Sequence, residues 1–348
     1  MDADRPVIHL PDVLSRLIRR EDLSDDDTAA VMTLIMEGDA TPAQVAGFLV
    51  ALRSKGETAE EIAGLARVMR EYAVRLQVDG PTVDTCGTGG DRAGTFNVST
   101  LSALVAAAAG ATVAKHGNRA ASGRCGSADL LEAWGVVIDL PSEAVQRCIE
   151  EVGIGFCFAP TFHPSFRHAM TPRRELGVPT VFNFLGPLTN PALAEHQTVG
   201  VSDPRMAPKM AHVLARLGTR HALVFHGEDG LDELTTTGPS QMWEVRDGEV
   251  EQSTFDPAEL GIAPATVSAL RGGGVEENRR IAESVLAGDK GAPRDIVVLG
   301  AAAALYAADH VDDWDAGLHA ASEAIDSRAA ESLLHRWVAT SQSLRPER

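Results

Sequence analysis

Residues 84–100 read DTCGTGGDRAGTFNVST and residues 115–129 read KHGNRAASGRCGSAD, with an alanine-rich run between them. Each is a glycine-rich loop set where an apolar run ends and a helix begins. The two lie one strand–helix–strand unit apart. Small residues, free backbone N–H groups and a few cations at such points suit a ligand with several phosphates. The layout therefore points to an enzyme acting on a phosphorylated sugar.

Working outward, TVDTC, ATVAK, GFCFA, QTVGV and HALVFH read as strands. Helices are expected between most of them, near 97–109, 127–134, 142–152 and 203–217. Alternation of this kind means an α/β fold with a mostly parallel central sheet. QMWEVRDGEVEQSTF reads as an antiparallel hairpin turning at Asp247-Gly248, and 275–343 reads as helical. Before Asp79-Gly80-Pro81 the pattern is helical only. A helix starts near Ser24. Thr41-Pro42-Ala43-Gln44 and Thr58 with Glu61 are capping boxes, and Val45, Phe48, Leu49 and Leu52 recur at helical spacing. Ile62, Leu65, Ala66, Met69, Tyr72, Ala73 and Leu76 stripe one face. An internal core is the simpler reading of that stripe, and cover for a second subunit is the other. The expected division is a small all-helical domain over 1–76 and a large α/β domain over 77–348.

The formal net charge is −18 over 348 residues, and 44% of them are hydrophobic. Such a chain buries a substantial core. Its field repels nucleic acid and anionic membrane, so neither is expected as a partner. The first residues, MDADRPVIHLPDVL, lack a basic stretch followed by an apolar run, and 101–111 and 297–308 are too short to span a bilayer. Cys86, Cys125, Cys148 and Cys157 form no C-x-x-C pair, which fits reduced thiols and a cytoplasmic location.

Several residues could carry chemistry. Gly87, Gly89 and Gly90 let the backbone approach an anion. The loop is neither a dinucleotide fingerprint, since Arg92 takes the sixth position, nor a Walker loop, since no G-K-[ST] follows. Asn97-Val98-Ser99-Thr100 opens a helix, where hydroxyls cap free N–H groups or touch phosphate, and Ser99 could also meet a metal. Lys115-His116-Gly117-Asn118-Arg119 stands beyond the carboxyl end of a strand, where open parallel sheets bind ligands, with Arg124 and Ser127 close behind. A carboxylate about 4 Å from a phosphate charge is repelled by roughly 4 kcal/mol at an effective dielectric near 20. If Asp232-Glu233 faces phosphates, Mg²⁺ must therefore lie between them. Arg173-Arg174 are either surface groups near a helix or a guanidinium fork for a carboxylate. His163 and His168 lack an acidic neighbour at ligand spacing, which argues against zinc there.

Seven segments stand in one order across most of the chain: CGTGGD, TFNVST, KHGNRAASG, GSADLLEAWG, FAPTFHPSFRH, RRELGVPTVFNFLGPLTNPA and LDELTTTGPS. Together they resemble the anthranilate phosphoribosyltransferases. The resemblance implies an enzyme of tryptophan biosynthesis. It would join anthranilate to 5-phosphoribosyl 1-diphosphate (PRPP), with release of pyrophosphate and use of Mg²⁺, two ions in all. It also implies a homodimer formed through the helical domain, part of 170–200 packing with 1–76, and an active site between the domains.

Carried over by motif, Gly87, Gly90, Asp91 and Thr95 line the PRPP site. Asn97, Val98, Ser99, Thr100, Lys115 and Ser127 hold its phosphates. The second loop joins them through His116, Gly117, Asn118, Arg119, Ala120, Ala121, Ser122 and Gly123. Ser99, Asp232 and Glu233 serve the metal. Gly87, His116, Asn118 and Arg173 face anthranilate, and Pro160, His163 and Phe166 wall its channel. The resemblance gives catalytic roles to Asn118, Arg173 and His116. Two positions depart from the family: Gly123, where a second serine is usual, and Trp134, where a leucine-like residue is usual. The first departure loosens one phosphate contact and the second is a packing change. The competing readings are a pyrimidine nucleoside phosphorylase-like enzyme and a non-catalytic nucleic-acid-binding relative of the same fold. The net charge of −18 speaks against the second.

Overall fold

The computed structural model describes residues 8–120 and 124–346. Four helices come first: α1 (Leu10–Ile18), α2 (Asp25–Glu37), α3 (Pro42–Lys55) and α4 (Ala59–Glu71). Ser24, Thr41 and Thr58 each cap a helix and complete a capping box with Asp27, Gln44 and Glu61. Glu61 is wholly buried and accepts from the N–H groups of Leu23 and Thr58 and from the Lys55 ammonium. One carboxylate thus starts α4 and ties it to the approach to α2.

A seven-stranded sheet follows, in the order β3-β2-β1-β4-β5-β6-β7. Strands β1 (Val83–Gly87), β2 (Val113–Gly117), β3 (Ile154–Phe158), β4 (His196–Gly200) and β5 (His221–Gly227) are parallel. The hairpin of β6 (Ser240–Arg246) and β7 (Glu249–Phe255) adds on antiparallel. Helix α5 (Val98–Ala108) links β1 to β2. Helices α6 (Ser127–Ala133) and α7 (Ser142–Val152) link β2 to β3. The chain then runs through α8 (Ala159–Phe162), α9 (Arg167–Leu176) and α10 (Phe182–Leu185) to β4, and α11 (Ala207–Arg216) leads to β5. Helices α12 (Val275–Leu286), α13 (Ala292–Ala307), α14 (Trp314–Asp326) and α15 (Ala329–Ser343) close the fold.

One core packs α5, α7 and α12–α15 against β1, β2 and β3. A second core joins α1–α4 to Phe182, Phe184, Leu185 and Leu188, and continues to α11 and β4–β6. The segment 169–188 is therefore common ground between the helices and the sheet. The stripe on α4 is covered within the chain, since Ile62, Leu65 and Ala66 are fully buried. It is also shorter than its spacing suggests: α4 ends at Glu71, and Leu76 packs in the core of the sheet. Among the described residues, no helix is long and apolar enough to cross a membrane. Strand β1 lies between β2 and β4, so the strand order reverses there. A crevice opens at such a point, beyond the carboxyl ends of the strands.

Candidate active site

The floor of this crevice is made of close approaches that only glycine permits. A Cβ on Gly87 would overlap the Asp232 carboxylate, and one on Gly200 would overlap the Asp232 carbonyl. The loop after β1 is stitched to the end of β4. The Thr88 N–H donates to the Gly200 carbonyl (2.9 Å), the Ser202 N–H donates to the Thr88 hydroxyl (3.1 Å), and the Ser202 hydroxyl donates to the Gly89 carbonyl (2.8 Å). Gly89 and Gly90 turn at φ of 67° and 87°, conformations that favour glycine.

Three carboxylates converge on this loop. Asp232 accepts from the Gly89 N–H at 2.6 Å. Burial and the neighbouring charge of Asp91 push its carboxyl up to about 7. Glu233 is also pushed well up, first by burial and then by the charge of Asp232. The Ser99 N–H faces Glu233, so the start of α5 meets the acidic pair. Asp91 accepts from the Ala93 N–H at 3.1 Å, but its Oδ2 is buried with no hydrogen-bond partner. Crowded carboxylates with an orphaned oxygen are the donor set of a hard cation such as Mg²⁺.

The structure places Lys115 deeper than a loop ligand. Its ammonium is buried and donates to the carbonyl and the hydroxyl of Thr85. Burial lowers its pKa, while the charges of Asp84 and Glu233 hold it up. Asp84, also buried, accepts from the His116 N–H at 3.0 Å. Lys115 thus acts as a counter-charge beneath the acidic pair.

Asn97 is engaged as well. Its Oδ1 accepts from Asn278 Nδ2 (2.9 Å) and the Cys125 thiol (3.3 Å), and its Nδ2 donates to the Cys125 carbonyl (3.1 Å). The Asn97 side chain therefore ties the two glycine loops together rather than pointing free. Val98 and Thr100 are buried in the first turns of α5, and Thr100 Oγ1 has no partner. Thr95 bridges to Arg271, and the Gly272 N–H donates to the Gly94 carbonyl at 2.9 Å. The segment 270–278 thus clamps the first loop, and no motif had marked it. The RGGG run at 271–274 was the available signal.

In the second loop, Gly117 lies under the Phe156 ring, where a Cβ would press on it. Asn118 is exposed, and its Oδ1 accepts from the Arg119 N–H at 2.7 Å. Arg119 pairs with Asp129 (2.9 Å) and Glu132 (2.8 Å), so its guanidinium is occupied. Asp129 accepts from the N–H groups of Ala120 and Gly126 and closes the loop just before Ser127. Ala121, Ser122 and Gly123 lie outside the described residues.

An apolar, histidine-lined wall stands beside β2. His116 Nδ1 donates to the Gly186 carbonyl at 3.1 Å, which leaves Nε2 as a buried lone pair without a partner. His163 packs on it with ring centroids 5.1 Å apart, and its Nε2 is likewise buried and unpaired. Burial pushes His116 down to about 4, and burial with the nearby His116 pushes His163 down to about 3. Both rings are therefore neutral acceptors at physiological pH. Phe166 packs edge-on against Phe182, and Pro160 is exposed at the start of α8. Arg173, on α9, is half-buried and makes no hydrogen bond or ion pair among the described residues. Burial lowers its pKa. His168 is not beside His163 in a ligand set; it packs on Gly38.

Two family descriptions match the chain: "Glycosyl transferase family, a/b domain" over residues 79–331 and "Glycosyl transferase family, helical bundle domain" over 11–73. The chain is 56% identical to the anthranilate phosphoribosyltransferase of Arthrobacter sp. (strain FB24), over 94% of this chain and 95% of that one. Its fold matches the crystal structure of the anthranilate phosphoribosyltransferase from Thermus thermophilus. The TM-score is 0.90 at 48% identity, covering 95% of this chain and 99% of that one. It also matches the Saccharomyces cerevisiae enzyme in complex with PRPP and Mg, at a TM-score of 0.86 and 28% identity, covering 96% and 98%.

Proposed function

As the chain belongs to the anthranilate phosphoribosyltransferase family, we infer that it transfers the phosphoribosyl group of PRPP to the amine of anthranilate, with release of pyrophosphate and use of Mg²⁺. The observation that carries this reading is the meeting of Asp91, Asp232 and Glu233 under a glycine loop at the switch point of the sheet.

Ser99, Asp232 and Glu233 would hold the metal, two ions in all, with Asp91 supplying a further oxygen. When bound, Mg²⁺ neutralises the pyrophosphate. The chain itself positions and excludes water. With the Thr88 and Gly89 N–H groups already engaged by Gly200 and Asp232, the Gly90 and Asp91 N–H groups and the start of α5 receive the PRPP oxyanions, together with Thr95, Thr100, Asn118, Ser127 and the second loop. Lys115 balances Glu233 from below. Arg173 grips the anthranilate carboxylate, which leaves the amine near His116 and His163, whose unpaired Nε2 lone pairs accept its N–H bonds. Phe166, Pro160 and Gly87 flank the ring. The amine then attacks C1 of the ribose from the face opposite the pyrophosphate, the C1–O bond breaks as the C1–N bond forms, and the surplus amine proton leaves by way of the His116 Nε2 lone pair to solvent. Charge stabilisation and placement supply most of the acceleration, without a covalent intermediate.

Residues 1–76 with part of 170–200 form the small domain in this reading, and a homodimer forms through it. Ile18 on α1 and Val50 on α3 are exposed apolar side chains that support such a contact. The four cysteines are free, which supports a cytoplasmic location. The test is the loss of anthranilate fluorescence on mixing enzyme, PRPP and Mg²⁺. Loss only when all components are present is expected. Loss without PRPP, or none with the full mixture, would refute the assignment.

A further inference from the structure

The opposite end of the sheet carries a second polar cluster. His196 opens β4 and His221 opens β5, and the two are paired neighbours across the parallel ladder. Asp309 follows α13 at a left-handed φ of 51°. One ligand atom from each of the three residues lies within 4.8 Å of the other two. His196 is 1% exposed, and its Nδ1 has no hydrogen-bond partner.

The hydrogen bonds of His221 point the same way. Its Nε2 is 3.1 Å from Glu244 Oε1 and its Nδ1 is 3.0 Å from Asp309 Oδ1. Arg246 Nη2 lies 3.2 and 3.3 Å from the two ring nitrogens and so selects neither tautomer. With Nε2–H donating to Glu244, the Nδ1 lone pair meets a carboxylate; the Arg246 guanidinium touches the pair from the side, 3.3 Å from Nδ1 and 3.3 Å from Asp309 Oδ1, and a cation between the two atoms would pair both directly. A proton there would satisfy Asp309 but leave His196 Nδ1 orphaned. A metal ion would satisfy all three groups. A carboxylate on the outer nitrogen of a ligating histidine is the usual support for such a bond.

We propose that His196, His221 and Asp309 bind a divalent transition-metal ion of the zinc type, with water in the fourth position. Tetrahedral zinc wants donors about 3.3 Å apart; His221 Nδ1 and Asp309 Oδ1, 3.0 Å apart, are already near that spacing, so the adjustment on binding falls on His196. Arg220 and Arg246 contact Asp309 at 3.6 and 3.3 Å and are 57% and 47% exposed, so both have room to swing out to solvent when the ion binds. The ion clamps the end of α13 to the starts of β4 and β5. Four residue steps along β4 separate His196 from Gly200, about 13 Å of strand. The clamp is therefore separate from the crevice, and it does not depend on the transferase reading.

The test titrates full-length, chelator-treated protein with Co²⁺ in excess Mg²⁺, read by visible absorption. One equivalent per chain with the intense bands of a four-coordinate ion is expected, displaced by Zn²⁺. Asp309→Ala and His196→Gln should each weaken binding by about tenfold or more. Asp309 is exposed, so its variant keeps the test valid if His196→Gln fails to fold. Zn²⁺ should raise Tm in the wild type and not in Asp309→Ala, whose transfer activity should be unchanged. Three results would overturn the site: no binding at millimolar Co²⁺, bands unaffected by Asp309→Ala, or bands lost instead in Asp232→Asn.

Discussion

A Cβ on Gly200 would overlap the main-chain carbonyl of Asp232, because the acidic loop lies directly on the last residue of β4. Gly200→Ala must therefore push that loop away from the Gly87–Asp91 turn while leaving the sheet intact. Displacement of about 1 Å can cost roughly 10²-fold in rate. A fall of that order in kcat/KM for PRPP is expected, with a higher Mg²⁺ requirement and near-unchanged circular dichroism. Unchanged kinetics would mean that the position of the loop does not matter.

The raised carboxyl of Asp232 ties metal binding to pH. Its folded pKa of about 7 lies above the ordinary 3.8, so below 7 a proton competes with the metal. Apparent Mg²⁺ affinity should fall as pH drops from 8 to 6, and Asp232→Asn should weaken binding and flatten that dependence. Stability runs in the opposite sense. Between about pH 4 and 7 the metal-free folded state binds more protons than the unfolded state, so stability falls as pH rises. Asp232→Asn should then stabilise the metal-free protein at pH 8, by up to about 4 kcal/mol. Thermal melts at pH 5 and 8 with chelator check this, and a destabilised variant at pH 8 would contradict it.

Arg173 makes no bond that its removal would break among the described residues. Arg173→Ala should fold normally and raise the anthranilate KM about 10²-fold, the cost of removing one member of a desolvated charge pair. The PRPP KM should move little. Equal changes in both would remove Arg173 from the anthranilate site.

Asn278 positions Asn97 across 181 residues of sequence and also accepts from the Gly273 N–H at 2.7 Å. It is 2% exposed. Asn278→Ala should cost about 1–3 kcal/mol of stability and raise the PRPP KM about tenfold, with a smaller effect on anthranilate. Asn278→Asp keeps the Gly273 bond but cannot donate to Asn97, so it should restore stability more than KM. Parallel recovery of both would reduce Asn278 to a purely structural residue.

How much was legible in the sequence follows from the range of each interaction. The capping boxes at Thr41 and Thr58 are local, and the structure forms both as their spacing indicates; the helix start near Ser24 proves to carry a third box, with Asp27. The five parallel strands and the hairpin at Asp247-Gly248 also stand where apolar runs and turn residues put them. Lys115 was harder to read. In a sheet covered on both faces, buried and exposed positions do not alternate, so nothing marked its side chain as internal. The burden on Gly200 is set by a loop 32 residues later, and the clamp of Asn278 on Asn97 is longer still. The stripe past Glu71 kept helical spacing, yet Leu76 had already crossed into the other core.

The most direct test is a crystal structure with PRPP, Mg²⁺ and an unreactive anthranilate analogue. Metal density bounded by Asp232, Glu233 and Ser99, with the aryl carboxylate on Arg173, is the expected result. Density for the diphosphate away from the Gly87–Asp91 loop, or an analogue whose carboxylate avoids Arg173, would contradict it.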